Sequence, residues 1–391
     1  MREVQNGASY PDRKGDRMKG KYWVAATLAV AAALASVVVG AATTAGASTK
    51  SHKLTKVTLQ LKWVTQAQFA GYYAAKAKGY YKAQGMDVTI KPGGPSIIPE
   101  QVVAGGQAQF GIDWLSSLMT SRDQGVNIVN IAQVFNKSGL TLISWKDTGL
   151  DRVSKLKGKK VANWLGGNEF EVFAALAKFG MDPVHNKGVT IVKEPFSMDF
   201  FLKRQADAAS AMTYNELAQV LEAKNPKTGK LYQLNNLNVI PMQKVGTSML
   251  EDGIFVRGDW IKSKANQALS KKFVAASLKG WLWCRDHQAA CVKIVLANGP
   301  ALPKGHQTWM MNEINALIWP AKLGIGLMDP ISYARSAKIV KTYGGLKKLP
   351  GHEAYRTDIA KAAQAILKKQ HLDIYGRNWH KATVKVTPGG K

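Results

Sequence analysis

Four aromatic residues each lie at or just beyond the end of a short apolar run that predicts a β-strand: Trp63, Trp114, Trp164 and Tyr214. Indole and phenol rings combine a large apolar face with one polar atom, and they stack readily on other flat rings. Because the strands of a parallel sheet end at one edge, rings that follow several strands converge there. We therefore expect these four rings to bind a planar ligand.

Polar residues and one glycine accompany the rings, and we expect them to contact the same ligand: Gln66, Gly94, Asp113, Asn168, Glu169, Asn215 and Asp252. Asn168 also has a second interpretation, since Asn168 and Glu171 have the spacing of an N-terminal capping box. Asn215 can likewise be a helix cap. Glu169 lacks such an explanation, and we expect its carboxylate to point towards the ligand.

No motif in the sequence predicts catalysis. The seven histidines show no metal-ligand spacing, and Cys284 has no partner for nucleophilic chemistry. The segment Gly15–Tyr22 resembles a phosphate-binding loop but ends in Tyr instead of Ser or Thr. We therefore predict a binding protein without a metal or cofactor, and not an enzyme.

Short apolar strands and helical segments alternate from Lys56 onward, which is typical of an α/β fold with a largely parallel sheet. The basic segment Lys146–Lys160 interrupts this alternation and predicts a boundary between two lobes. We expect residues 54–148 to form the first part of lobe I, residues 149–246 to form lobe II, and residues 247–391 to return to lobe I and end in helices. Ligands of such folds bind between the lobes, at the carboxyl ends of strands.

The connection between the first two predicted strands is unusually rich in aromatic rings. Four of them share one face of a predicted helix over Ala67–Lys82: Phe69, Tyr72, Tyr73 and Tyr80. We assign these four rings to the core. Trp63, which directly follows a strand, is the better ligand contact.

The first 47 residues predict a secretory signal peptide. Basic residues precede an apolar run over Trp23–Gly40, and Ala45–Ala47 is a small-x-small cleavage pattern. Met18 is an alternative start to Met1. We expect cleavage near Ala47 and export to the periplasm or cell envelope. An uncleaved membrane anchor is the alternative, because the run is close to the minimum length of a span.

The formal net charge of +28 predicts a basic surface. In a cytosolic protein such a charge would suggest nucleic acid as the partner. Here the lysines are spread along the chain and export is predicted, so we expect no nucleic-acid partner.

The two cysteines, Cys284 and Cys291, predict a disulfide in an oxidising compartment. Seven positions along one continuous helix would separate them by about 10 Å, too far for a disulfide. The polar stretch Arg285–Gln288 can end one helix and begin another, which would bring the two cysteines together.

Five segments, in this order along the chain, resemble periplasmic solute-binding proteins of ABC importers: LKWVTQAQFAGYYAAKAKGYYKAQGMDVTI, QVVAGGQAQFGI, GGNEFE, AMTYNE and EDGIFV. The resemblance is to the thiamine-precursor branch, with its formylaminopyrimidine-binding and riboflavin-binding members. Thiamine pyrimidine synthases share this fold but carry a cysteine-rich iron-binding motif. This sequence has only two cysteines, both near the C-terminus, which argues against the synthase activity.

The resemblance implies a type II bilobal fold and a monomeric receptor that delivers its ligand to an ABC permease in the inner membrane. The implied ligand is a small planar heteroaromatic nutrient, either a thiamine pyrimidine precursor or a riboflavin-like molecule. An aliphatic sulfonate is an alternative ligand, and thiamine pyrimidine synthesis is the alternative function.

Overall fold

Two five-stranded sheets form the framework of the protein. The computed structural model describes residues 53–391, so the predicted signal peptide, residues 1–47, lies outside the described part. The strands are β1 (Thr55–Gln60), β2 (Met86–Lys91), β3 (Phe110–Trp114), β4 (Ile128–Gln133), β5 (Leu140–Trp145), β6 (Lys160–Asn163), β7 (Thr190–Lys193), β8 (Ala208–Met212), β9 (Leu237–Pro241) and β10 (Asp252–Arg257). Their order is β2-β1-β3-β10-β4 in the first sheet and β7-β6-β8-β5-β9 in the second.

The two sheets have equivalent topologies. In the first sheet β1 is parallel to β2 and β3, and β10 is antiparallel to β3 and β4. In the second sheet β6 is parallel to β7 and β8, and β5 is antiparallel to β8 and β9. In each sheet the chain arrives from the other sheet through the strand that is antiparallel to its neighbours, which is β10 in the first sheet and β5 in the second. We call the first sheet with the helices on it the first lobe, and the second sheet with its helices the second lobe.

The predicted boundary at residues 148–149 is therefore wrong for one strand. Residues Leu140–Trp145 pair with β8 and β9, so the chain enters the second lobe between Gln133 and Leu140. The sequence does not show to which sheet β5 belongs, because all six of its residues are buried and an apolar strand fits either sheet equally well. The basic segment that seemed to be a linker is a surface connection within the second lobe, between β5 and β6.

Helices cover the sheets and extend the C-terminal part of the chain. They are α1 (Ala70–Ala77), α2 (Tyr80–Ala83), α3 (Pro99–Ala104), α4 (Leu115–Asp123), α5 (Glu169–Ala177), α6 (Asp199–Leu202), α7 (Glu216–Glu222), α8 (Met242–Val245), α9 (Lys264–Asp286), α10 (Gln288–Asn298), α11 (Lys304–Ile318), α12 (Pro330–Tyr343) and α13 (Asp358–Lys369). None of the helices in residues 53–391 is both long enough and apolar enough to cross a bilayer.

The aromatic connection after β1 packs largely as expected. Phe69, Tyr72 and Tyr73 are buried, which confirms their assignment to the core, whereas Tyr80 is half-exposed. The single predicted helix is instead a 3-10 turn over Ala67–Phe69 followed by α1 and α2. Gly79, with φ of 71°, separates α1 from α2. This left-handed residue turns the chain, so Tyr80 is only partly buried, although its ring still packs against the core.

The two cysteines lie where two C-terminal helices meet. Helix α9 ends at Asp286 and α10 begins at Gln288, so the predicted interruption is present. Cys284 and Cys291 are bonded in the structure, with Cα atoms 5.2 Å apart. Both side chains are buried in the main hydrophobic core.

Candidate functional site

A cleft of about 660 Å³ lies between the carboxyl edges of the two sheets. Its volume is in the range that small-molecule sites occupy. Of the eleven predicted ligand contacts, the structure brings ten to this cleft: Trp63, Gln66, Gly94, Asp113, Trp114, Trp164, Asn168, Glu169, Tyr214 and Asn215. They converge because each lies at or after the carboxyl end of a strand, and both sets of strand ends face the cleft.

Asp252 is the residue that does not line the cleft. It is buried at the start of β10, where its Oδ2 accepts a hydrogen bond of 3.0 Å from Gln68 Nε2. Gln68 Oε1 in turn accepts from Gln66 Nε2 at 2.7 Å. Burial raises the pKa of Asp252 to about 7, against the opposing effects of Gln68 and Lys62. Asp252 therefore supports the wall of the cleft from behind instead of contacting a ligand.

Aromatic rings from both lobes meet at the mouth of the cleft. The Trp63 indole of the first lobe stacks on the Phe196 ring of the second, with centroids 5.6 Å apart and planes 22° apart. Phe196 is 60% exposed although it is apolar. Phe196 was not among the residues predicted from the sequence, although its position three residues after β7 resembles that of the predicted rings.

A buried ion pair forms part of the first-lobe wall. Lys62 Nζ donates to Asp113 Oδ1 and lies 4.2 Å from the ring centroid of Trp114. Burial alone would lower the pKa of Lys62, but the nearby carboxylates, Asp113 above all, hold that pKa above its usual value. Lys62 was also missed. Its charge is neutralised within the wall and does not by itself attract an anion.

Glu100 adds a further acidic group to the first-lobe wall. Its side chain is buried at the start of α3, and its Oε1 has no hydrogen-bond partner within residues 53–391. Burial and then the Asp113 carboxylate raise the pKa of Glu100 well above its usual range. This environment favours the neutral form of the carboxyl, which can donate a hydrogen bond.

On the second-lobe wall, Asn168 and Glu194 present unpaired polar atoms. The Asn168 side chain is 4% exposed, does not cap α5, and finds no partner for either amide atom in the described part of the chain. Both carboxyl oxygens of Glu194 are equally unpaired. The two residues follow the neighbouring parallel strands β6 and β7, and both line the cleft on its second-lobe side. Burial and then the Glu216 carboxylate raise the pKa of Glu194 to about 9.

Glu169 lines the cleft, as expected from the sequence, but one of its carboxylate oxygens is already used within the protein. Its Oε2 accepts a hydrogen bond of 2.7 Å from the backbone N–H of Gly167, so it holds the turn that precedes α5. Burial raises its pKa. Gly167 has φ of 103°, and a Cβ there would lie 2.9 Å from Ser117 Oγ of the first lobe. The turn therefore brings the two lobes into close approach.

Glu171, the other half of the expected capping box, lies at the crossing between the lobes. Its Oε2 accepts from Ser138 Oγ at 2.8 Å, and its Oε1 accepts from the N–H of Met249 at 2.9 Å. Glu251 Oε1 accepts from the N–H of Gly139 at 2.6 Å. The two segments in which the chain crosses between the lobes, residues 134–139 and 246–251, are thus joined by the buried carboxyls of Glu171 and Glu251. The capping interpretation of Asn168 and Glu171 is wrong.

Asn215 and Glu216 also line the cleft on its second-lobe side. Asn215 Nδ2 donates to Glu216 Oε1 at 2.6 Å, and Glu216 Oε2 accepts from the N–H of Met212 at 3.0 Å. Asn215 does not cap α7. Burial raises the pKa of Glu216 to about 7, although hydrogen bonds and the nearby His306 oppose the rise.

The described residues contain no cluster of His, Cys, Asp and Glu that could hold a metal ion. The groups that line the cleft instead offer aromatic faces, amides and neutral or paired acids. This set can hold a flat molecule that carries both donor and acceptor atoms.

The architecture is that of ABC-importer solute-binding proteins. The periplasmic aliphatic sulphonate binding protein SsuA from Escherichia coli aligns over 84% of this chain and 92% of its own, at 10% identity and a TM-score of 0.56. The periplasmic nitrate-binding protein NrtA from Synechocystis aligns over 83% of this chain and 92% of its own, at 15% identity and a TM-score of 0.55. At these identities the likeness concerns the fold, and it confirms the bilobal α/β prediction.

The protein belongs to the NMT1/THI5-like family, whose model matches residues 66–291. The riboflavin-binding protein RibY of Chloroflexus aurantiacus is 25% identical over 233 residues, which cover 58% of this chain and 62% of RibY. A 4-amino-5-hydroxymethyl-2-methylpyrimidine phosphate synthase of Saccharomyces cerevisiae, THI11, is 24% identical over 130 residues, or 33% of this chain and 38% of the synthase. The matches thus span less than two thirds of either relative. The predicted family is confirmed.

Proposed function

We propose that the protein is the solute-binding receptor of an ABC importer and that it encloses a small, uncharged, planar heteroaromatic molecule between its lobes. The observation that carries this proposal is the set of side chains on the two facing walls of the cleft. Aromatic rings from both sheets face it, and unpaired polar atoms of Asn168 and Glu194 line one wall. Stacking on several rings and a few directed hydrogen bonds are what a flat, donor- and acceptor-bearing ligand requires.

The charges in the cleft argue for an uncharged ligand over a sulfonate. Two lysines line it, Lys62 and Lys193, and Lys62 is already paired with Asp113. Four glutamates line the same space: Glu100, Glu169, Glu194 and Glu216. A bound sulfonate would face these acids with few cationic partners, and an uncompensated buried charge is strongly unfavourable.

The kind of ligand follows from the pair on the second-lobe wall. A protonated carboxyl donates one hydrogen bond and accepts another, and an amide does the same. Together, the Glu194 carboxyl and the Asn168 amide would match a ring edge in which a nitrogen or carbonyl acceptor adjoins an N–H donor. Aminopyrimidines and the isoalloxazine ring of riboflavin both have such an edge, so both are proposed ligands. RibY, by its name, binds riboflavin.

Calorimetry with three probes tests the proposal: riboflavin, 4-amino-5-hydroxymethyl-2-methylpyrimidine and an alkanesulfonate. We expect one of the two heteroaromatic probes to bind and the sulfonate not to bind. Trp164→Ala should weaken binding by about threefold to tenfold, the contribution of one stacked ring. Binding of the sulfonate alone would contradict the proposal. Loss of a histidine from the protein on incubation with iron, seen by mass spectrometry, would favour the synthase alternative.

We further propose that the protein is exported, works as a monomer and hands its ligand to a membrane permease. The motivation is the apolar run and cleavage pattern of the first 47 residues, together with the fold. N-terminal sequencing of the exported protein should begin near Ser48. An N-terminus that retains Trp23–Gly40 would instead identify an anchored receptor.

A further inference from the structure

Helix α11 contacts both lobes through residues near its start. Gln307 Oε1 accepts a hydrogen bond of 2.7 Å from the N–H of Ala67, in the first lobe. Trp309 Nε1 donates to the carbonyl of Thr213 at 2.8 Å, in the second lobe. His306 also reaches the second lobe, and it does so next to the cleft.

The His306 ring lies between two hydrogen-bond acceptors. Its Nδ1 is 3.0 Å from each carboxylate oxygen of Glu222, and its Nε2 is 3.0 Å from Oδ1 of Asn215. In the orientation of Asn215 that the structure shows, the atom facing Nε2 is the acceptor Oδ1, so Nε2 is the nitrogen that donates to it. The ring is 10% exposed, so water does not readily replace these partners.

This contact fixes the direction of the Asn215 amide. With Oδ1 turned towards His306, Nδ2 is turned towards Glu216, to which it donates at 2.6 Å. An amide has nearly the same shape after a 180° flip, so its neighbours alone decide its orientation. Gln219 Nε2 also donates to Asn215 Oδ1, but over a longer distance of 3.4 Å, so it constrains the amide less. Without a donor at the position of Nε2, the flipped amide therefore becomes more acceptable, and the cleft loses a defined donor.

The end of the chain closes over this arrangement. Gly390 has φ of 68°, and a Cβ there would lie 2.7 Å from Cβ of His306 and 3.0 Å from Glu222 Oε2. A glycine is needed at this position for both its backbone angle and its lack of a side chain. The C-terminal turn therefore covers the His306–Glu222 pair.

We infer that His306 is a positioning residue for ligand binding: from a helix anchored on the first lobe, it holds the Asn215 amide in the orientation that the cleft presents to its ligand. The inference rests on the proposed function, since it needs the cleft to be the ligand site. The His306 ring does not line the cleft, so it acts only through Asn215.

Two substitutions of similar size separate this role from a structural one. The side-chain nitrogen of His306→Gln reaches the position of Nε2 and can still donate to Asn215, whereas that of His306→Asn reaches only the position of Nδ1. We expect His306→Gln to bind the accepted heteroaromatic probe within about twofold of the unmodified protein and His306→Asn to bind about tenfold more weakly. In an Asn215→Ala background this difference should disappear. Trp309→Phe, which removes another hydrogen bond of α11 to the second lobe, should leave affinity unchanged.

Equal losses in the two His306 variants, or a difference that persists with Asn215→Ala, would overturn the inference. If the unmodified protein binds neither riboflavin nor the aminopyrimidine, the proposed function fails and nuclear magnetic resonance decides the inference separately. We then expect Nε2 of His306 to carry a hydrogen and the Asn215 amide signals to move in His306→Asn but not in His306→Gln. An Nε2 without a hydrogen in the unmodified protein, which can be measured even if a variant does not fold, refutes the inference.

Discussion

Trp63 and Phe196 stack on one another across the cleft, with ring centroids 5.6 Å apart, although one follows the first strand of the first sheet and the other follows a strand of the second. Stacked rings from two lobes form a contact that must separate when the lobes open. We therefore expect the pair to act as a gate that restrains the opening of the cleft when a ligand is bound.

The first prediction concerns this gate. Phe196→Ala removes the second-lobe ring, so we expect the affinity for the accepted probe to fall by about threefold to tenfold, the range of one stacked pair. The change should appear mainly in the dissociation rate, since the gate restrains escape. Stopped-flow fluorescence measures both rates. Phe179→Ala is the matched control, because Phe179 is an exposed ring of the same lobe outside the cleft. Equal effects in both variants would refute the gate.

The second prediction concerns selectivity. Asn168→Leu removes both unpaired amide atoms at nearly constant volume, so a ligand atom that bonds to them is left without a partner at a cost of about 1–3 kcal/mol. We expect riboflavin and the aminopyrimidine to lose affinity by different factors, measured by calorimetry. Glu169→Gln is the control, since a glutamine oxygen can still accept from Gly167, and it should leave the ranking unchanged. A reversal of the ranking by Glu169→Gln alone would restore the role first expected of that residue.

The third prediction concerns pH and the crossing between the lobes. Burial raises the pKa of Glu171 to about 8 from its ordinary value near 4.5, so between these values the folded state holds a proton that the unfolded state releases. The resulting stability is complete below about pH 4.5 and is lost as the pH rises through about 8. Stability should therefore fall between pH 5 and pH 9.

Glu171→Gln tests that assignment. A glutamine oxygen can still accept from the N–H of Met249, and the neutral amide leaves no charge to be buried, so at pH 9 we expect the variant to be more stable than the unmodified protein by about 1–3 kcal/mol. Urea unfolding at pH 5 and pH 9 measures the difference. Glu353→Gln is the control, because the pKa of exposed Glu353 is lowered by backbone hydrogen bonds and it stays ionised over this range. Glu251 and Arg335 also face Glu171 and remain in both proteins.

The fourth prediction concerns the disulfide between α9 and α10. Thiol titration of the denatured, unreduced protein should find no free cysteine, and reduction should lower the free energy of unfolding by about 2–3 kcal/mol, as expected for so short a loop. The double variant Cys284→Ala/Cys291→Ala should not respond to reductant. Two titratable thiols in the unreduced protein would contradict the pairing.

The sequence by itself determined the features that depend on neighbouring residues. Trp63, Trp114, Trp164 and Tyr214 were expected at the cleft because each lies at the end of a strand. In α/β folds that local fact carries a tertiary consequence, since the ends of parallel strands share an edge. The break between α9 and α10 was likewise predicted from the polar stretch that separates Cys284 from Cys291.

Only the tertiary structure decided which groups face one another across long stretches of chain. Leu140–Trp145 joins the second sheet because of its partners β8 and β9, and nothing in its own apolar sequence distinguishes the two sheets. Asn168 does not cap α5, since its backbone is already helical, and the side chain of Glu171 bonds Ser138 and Met249 instead. The contact of His306 with Asn215 joins residues 91 positions apart. Such pairings depend on how whole elements pack, and local periodicity carries no information about them.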